Sequence, residues 1–147
     1  MTLFLVALIG VGLAATGTAW SEKSRRDKEV ELIRVGSVYA KAIASYYAKA
    51  PGSVKRYPTS LSDLIEDRRF VGTHRHLRQL YVDPMTNNAN WGLVRADDGG
   101  IRGVYSLSSN TPLLQTAKEI KGIRISAANS YREWRFNAPD PVVKVKR

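Results

Sequence analysis

WSEKSRRDKEVELIRVGSVYAKAIASYYAKAP, residues 20–51, is the stretch on which the architecture turns. It contains no proline before Pro51, and residues of good helix propensity dominate it. Opposite charges stand four apart at Glu22/Arg26, Lys23/Asp27 and Arg25/Glu29, a spacing that sets each pair on one exposed helix face. From Leu32 the pattern changes. Leu32, Val35, Tyr39, Ala42, Ile43, Tyr46 and Ala50 recur at helical spacing and form one apolar stripe. A stripe of this kind needs a domain to lie on. Upstream, MTLFLVALIGVGLAATGTAW (1–20) has no ionisable side chain, and only isolated glycines interrupt the run from Leu3 to Ala50. The reading is therefore one continuous helix of about 48 residues, on the order of 70 Å at 1.5 Å rise per residue. Its first half is apolar all round and its second half is amphipathic.

Residues 3–20 supply about 18 apolar or small residues, close to the shortest run that spans a bilayer as a helix. A secretory signal peptide calls for a basic start, a shorter apolar run and a small-residue cleavage site. Here the start is Met1-Thr2, the run is long, and only Gly17-Thr18-Ala19 suits cleavage. A removed peptide does not normally continue as helix into the mature fold. Residues 1–20 are expected to be a membrane segment, 21–50 its amphipathic continuation, and 51–147, with helix 30–50, a globular domain.

The chain has 147 residues and a net charge of +10, all of it downstream of Trp20. That balance suits nucleic acid, anionic lipid or an acidic protein, without choosing among them. There is no cysteine, which excludes disulfides, thiolate nucleophiles and cysteine-bound metals.

Pro51-Gly52 stops the helix. YPTSLSDLIEDRRF (57–70) then carries a capping-box arrangement, Ser60 followed by Asp63, before Leu61, Leu64 and Ile65, and predicts a short second helix. HLRQLYVDPMTNNAN (76–90) reads as a loop with Asp83-Pro84 and Asn87-Asn88 turns. WGLVRADDGGIRGVYSLSS (91–109) reads as a β-hairpin closed by Asp97-Asp98-Gly99-Gly100. YREWRF (131–136) is expected to be a third strand, and the final KVKR a loose basic tail. The fold class expected is α+β: a long N-terminal helix packed on a small antiparallel sheet of about three strands. Trp91 and Tyr105 are expected to cover the Tyr39/Ile43/Tyr46 part of the stripe.

VALIGVGLAA in the first helix, with YPTSLSDLIED, LYVDPMTNNANWGLV and GVYSLSS downstream, resembles the type IV pilin-like proteins, and among them the pseudopilins of type II secretion. The resemblance covers nearly the whole chain. It implies a structural subunit, not an enzyme, anchored in the bacterial inner membrane with its domain in the periplasm. From there it would assemble into a filament through its N-terminal helix. Leu3, Phe4, Leu5, Val6, Leu8, Ile9, Gly10, Val11 and Leu13 would form the membrane and filament-core helix. The implied partners are copies of the chain, other pilin-like subunits, an inner-membrane assembly platform and a prepilin peptidase that cleaves and methylates. That family carries a basic leader ending in Gly and a Glu one turn into the mature helix. Neither is present here, and aligning Gly10 with the family's helix glycine puts Met1 at the Glu position. Lys23, Arg25, Arg26 and Lys28, beyond the span, would by themselves draw the domain to the cytoplasm. The expectation is a start upstream of Met1 that supplies the opposing charge.

Glu22, Lys23, Arg25, Arg26, Asp27 and Glu29 alternate in sign and are expected to set register between neighbouring subunits. Asp97 and Asp98 are candidates for calcium, which major pseudopilins bind in a nearby loop, but read better as turn residues. No cofactor is expected. His74 and His76 lie in a basic loop, THRHLRQ, and are expected to be solvent-exposed rather than metal ligands. No Ser-His-Asp order, phosphate loop or paired-carboxylate motif stands out. A second reading is a DNA-binding minor pilin or a permanently anchored binding module. It rests on Arg68, Arg69, His74, Arg75, His76 and Arg78 together with Lys144, Lys146 and Arg147.

Overall fold

A computed structural model of the chain describes residues 2–120 and 122–140, with side chains from Gly17 onward apart from Thr18. It is α+β: a single helix, α1 (Thr2–Ala48, 47 residues), followed by short strands and loops. The helix ends where Pro51 removes a donor and Gly52 takes a positive φ of 86°. Among the described residues no helix is long and apolar enough to cross a membrane. The side chains expected to form the membrane and filament core, Leu3 to Leu13, lie outside the described ones.

The stripe is the centre of the core. Leu32, Val35, Tyr39, Ala42, Ile43 and Tyr46 are all buried. They pack on a three-stranded antiparallel sheet of order β1-β2-β5, made of β1 (Gly92–Arg95), β2 (Ile101–Tyr105) and β5 (Phe136–Asn137). β1 and β2 are the expected hairpin, in register Gly92↔Tyr105 and Leu93↔Val104, with a bulge between Val94 and Arg95. The turn closes through Gly99 N–H to Ala96 O at 2.9 Å, with Gly99 at φ 79°. Gly36, inside the stripe, lets the sheet come close: a Cβ there would lie 2.3 Å from Cγ of the buried Phe136 ring.

The structure refines the reading in three places. Residues 131–136 are not a strand. Tyr131–Glu133 is one turn of 3-10 helix, and only Phe136–Asn137 pairs, with Gly103 and Val104 on β2. The buried residues there are Tyr131, Trp134 and Phe136. A strand puts positions three apart on opposite faces, whereas a 3-10 turn puts them on the same one. Tyr131 and Trp134 accordingly meet edge to face at 5.2 Å. The expected short second helix is present as a single 3-10 turn, Leu61–Leu64, opened by the Ser60/Asp63 capping box, with the Asp63 carboxylate accepting the Ser60 N–H at 3.0 Å. Finally, β3 (Lys118–Ile120) and β4 (Ile123–Ile125) pair antiparallel as a separate two-stranded sheet, where no element was foreseen.

Candidate functional site

The helix enters its own domain at Glu29. Residues 19–28 are exposed, including Glu22, Lys23, Arg25, Arg26, Asp27 and Lys28, and Trp20 is 76% exposed. The i,i+4 pairs read from the sequence do not form. Among the described residues the ion pair within α1 is Glu31–Arg34, at 2.6 Å. Arg25 instead donates to Thr111 O at 3.2 Å. This leaves Glu22, Lys23, Arg26, Asp27 and Lys28 as a band of both signs without an ion-pair partner among the described residues, next to a groove lined by Trp20, Lys23, Asp27, Tyr81 and Val82.

Glu29 does not belong to that band. It is 6% exposed, and its Oε1 accepts the N–H groups of Leu113 (2.8 Å) and Leu114 (3.3 Å) and the Tyr131 hydroxyl (3.1 Å). A carboxylate buried among three donors ties two distant loops to the helix. Burial, reinforced by that carboxylate, pushes the Tyr131 phenol up to about 12.

At the other end of α1 the structure assembles a cluster that the sequence did not suggest. His76 is not exposed: its side chain is fully shielded. Nε2 lies 2.9 Å from Asp67 Oδ2 and Nδ1 lies 2.9 Å from Ser45 Oγ on α1. Beside a carboxylate Nε2 must carry the proton, so in the neutral ring Nδ1 accepts from the Ser45 hydroxyl. Asp67, 1% exposed, is also gripped by Arg69 through Nε–Oδ1 (2.8 Å) and Nη2–Oδ2 (2.7 Å). Arg69 donates further to Tyr46 O at 2.8 Å, one of the last helix carbonyls, and its guanidinium sits 3.5 Å from the Tyr46 ring centroid. The Arg69 hydrogen bonds hold the Asp67 carboxyl far below the usual range, against the opposing effect of burial. Burial pushes the His76 imidazole below its ordinary value, and the carboxylate pulls it back.

Ser45, His76 and Asp67 thus stand in line, but the line is built to fasten rather than to activate a nucleophile. The carboxylate is already neutralised by Arg69, and the serine sits inside a helix with its Oγ turned to a shielded ring.

Of the other candidates, Trp91 is buried, meets Tyr39 at 5.3 Å and donates Nε1–H to Tyr81 O at 2.8 Å. Tyr105 lies elsewhere. It is half-buried outside the core, its ring over Gly92 and 5.2 Å from the Arg135 guanidinium. On the strand it alternates with Val104, which takes the core face. Asp98 serves its own turn and a neighbour, accepting the Gly100 N–H (2.9 Å) and the Tyr57 N–H (3.2 Å). Asp97 is exposed, and the described residues hold no group of three or more possible metal ligands. In the basic loop Arg69 is committed to Asp67, which leaves Arg68, Arg75 and Arg78 exposed. Lys144, Lys146 and Arg147 lie outside the described residues.

No family model, curated protein or solved structure matches the chain.

Proposed function

We propose that this chain is a pilin-like structural subunit that assembles through its N-terminal helix into a periplasmic filament. The machine would be of the type II secretion or type IV pilus kind, and the subunit would wait in the inner membrane before assembly. The observation that carries this reading is the split character of α1. From Glu29 onward the helix is the core of a domain. Before it, a charged band with no ion-pair partner among the described residues leads back to twenty residues without an ionisable side chain. An apolar helix is satisfied equally by lipid and by copies of itself, so transfer from bilayer to filament need not expose it to water. Gly10, Gly12, Ala14, Ala15 and Gly17 are small enough at these spacings to let helices approach closely. The band would then fix register between copies through charges of both signs.

The experiment expresses the gene with its upstream codons in a cell that assembles such filaments. Subunits per filament are counted by quantitative mass spectrometry against a shaft protein. Lys23→Glu with Arg26→Glu reverses two exposed charges that form no ion pair among the described residues. It should lower incorporation while leaving the unfolding transition of the domain unchanged. A full chain that stays monomeric in plain buffer overturns the reading. Unchanged incorporation of the double variant removes the register role.

A further inference from the structure

The segment 65–78 contains no regular strand or helix. Its polar ties to α1 run through two side chains, His76 to Ser45 and Arg69 to the Tyr46 carbonyl. Both converge on one buried carboxylate, Asp67. Its other fastenings are the N–H groups of Ile65 and Glu66 on Ser62 O (3.0 and 3.2 Å), those of His76 and Leu77 on Leu64 O (2.8 and 2.9 Å), and the burial of Leu77. A segment held by so few groups belongs to the part of a fold that opens locally before the core does.

We propose that the Ser45–His76–Asp67–Arg69 cluster is an acid-operated latch: a proton taken up by His76 releases segment 65–78 from the C-terminal end of α1 while the helix and sheet stay folded.

The charge count explains the direction. Asp67 and Arg69 balance each other around the ring. The other groups facing the cluster are Tyr46 and Lys49 from α1, Asp63 from the 3-10 turn, and His74, whose ring lies 5.1 Å from that of His76. A second positive charge on the shielded imidazole meets a carboxylate already paired, with Lys49 and His74 alongside. Protonation also turns Nδ1 from acceptor into donor, so the Ser45 hydroxyl stops donating to the ring and must point its hydrogen elsewhere. Opening returns the ring to water. The folded value of His76 lies below the unfolded one, about 6.5. The latch is therefore fully fastened above about pH 6.5 and loosens as the pH falls from there toward the folded value. One proton per opening limits the slope to about tenfold per pH unit. Asp67, whose value is also lowered, adds its own loss only below about pH 4.

The test is hydrogen exchange with peptide-resolved mass spectrometry on the full chain between pH 7.5 and 5, corrected for intrinsic exchange. The wild type, H76Q and H74Q are compared. In the wild type, opening of 65–78 should rise below about pH 6.5 by up to tenfold per unit, with 32–46 and 92–105 unaffected. H76Q, which keeps an N–H for Asp67 but cannot titrate there, should be flat, and H74Q, which removes a neighbour of the ring but leaves His76 to titrate, should keep a pH response. No pH response in the wild type, or an equal response in H76Q, overturns the proposal. Should H76Q not fold, the imidazole titrations of the wild type decide by nuclear magnetic resonance. Opening that follows His76 supports the latch, and opening that follows His74 or neither refutes it.

Discussion

Replacing Gly36 by alanine should destabilise this protein, although the same change at an open helix position does the reverse. In a solvated helix interior, Gly→Ala gains about 0.5–1 kcal/mol, because alanine loses less backbone freedom on folding. At Gly36 the new Cβ would stand 2.3 Å from Phe136 Cγ and 2.5 Å from both Cδ atoms. Comfortable carbon contacts are about 3.5–4.0 Å, so the ring must retreat by more than about 1 Å. It has little room to do so. Phe136 is 0% exposed, its residue pairs with Val104 on β2, and Ala138 N–H is held by Arg102 O at 2.9 Å just beyond. Forcing an extra methyl into such a site costs about 1–3 kcal/mol. The propensity gain offsets part of that, leaving a net loss of about 1–2 kcal/mol. For a chain of this size that is a fall of roughly 3–6 °C in Tm.

Urea unfolding followed by tryptophan fluorescence reads the loss directly, since Trp91 and Trp134 are both buried. The midpoint should fall with the slope unchanged. Gly17→Ala, with nothing within 4 Å of its Cβ, is the control and should be neutral or slightly stabilising. In a Phe136→Leu background the Gly36→Ala loss should shrink by at least about 0.5 kcal/mol, the coupling expected of groups in contact. A Gly36→Ala protein as stable as wild type would refute the argument that the sheet lies against the helix backbone at this point.

Trp91→Ala should lose about 3–5 kcal/mol in the same urea assay, because a buried ring on Tyr39 and a hydrogen bond to Tyr81 O both go; a loss below about 1 kcal/mol would mean that the indole is not part of the core. Tyr131, lifted to about 12 by burial and then by Glu29, has a folded value above its unfolded one of about 10, so its contribution is complete below pH 10 and is lost as the pH rises from there toward 12. Glu29→Gln should bring the ultraviolet tyrosinate titration of Tyr131 to lower pH, and an unmoved titration would show that the carboxylate plays no part in the lift. A chain of residues 24–147 should run as a monomer in plain buffer while the full chain associates or requires detergent, as light scattering can tell; full-length protein that scatters as a monomer contradicts the assignment of association to the first helix half.

The stripe on α1 was legible because its period repeats from Leu32 to Tyr46 and no other element competes for it, although Ala50, read as its last member, lies beyond the helix end at Ala48. The β1–β2 hairpin was legible because Gly99 and Gly100 mark a turn between two apolar runs. The stretch 131–137 was not, since its apolar residues fall three apart and then two apart, and the eye takes the second spacing for the whole. β3 and β4 are three residues each, and Lys118 and Glu119 are exposed, so they carry almost no alternation. Glu29 was available to arithmetic: it lies three before Leu32 and four before Ile33, on the stripe itself, and its i,i+4 relation to Arg25 obscured this. His76 was not available in that way. Its burial is made by Asp67 nine residues earlier and Ser45 thirty-one residues earlier, and neither spacing carries a local signature.

The buried polar residues also explain how a cysteine-free domain with so little sheet keeps its loops in place. Three carboxylates do the fastening: Glu29 for the loop at 113–114 and for Tyr131, Asp67 for Arg69 and His76, and Asp83 for the Met85 N–H (2.8 Å) and the Ser106 hydroxyl (2.5 Å). Irregular loops leave backbone N–H groups that an apolar core cannot satisfy, and a shielded carboxylate accepts several at once. The fastenings to α1 are spread along it. Glu29 holds it at the point of entry. Tyr39 holds it in the middle, its hydroxyl donating to Tyr81 O (3.1 Å) and accepting from Tyr81 N–H (2.9 Å). Ser45 and the Tyr46 carbonyl hold it near the end. From Glu29 to Tyr46 is about 26 Å of helix at 1.5 Å per residue. A tilt of the helix about any one fastening is resisted by the other two.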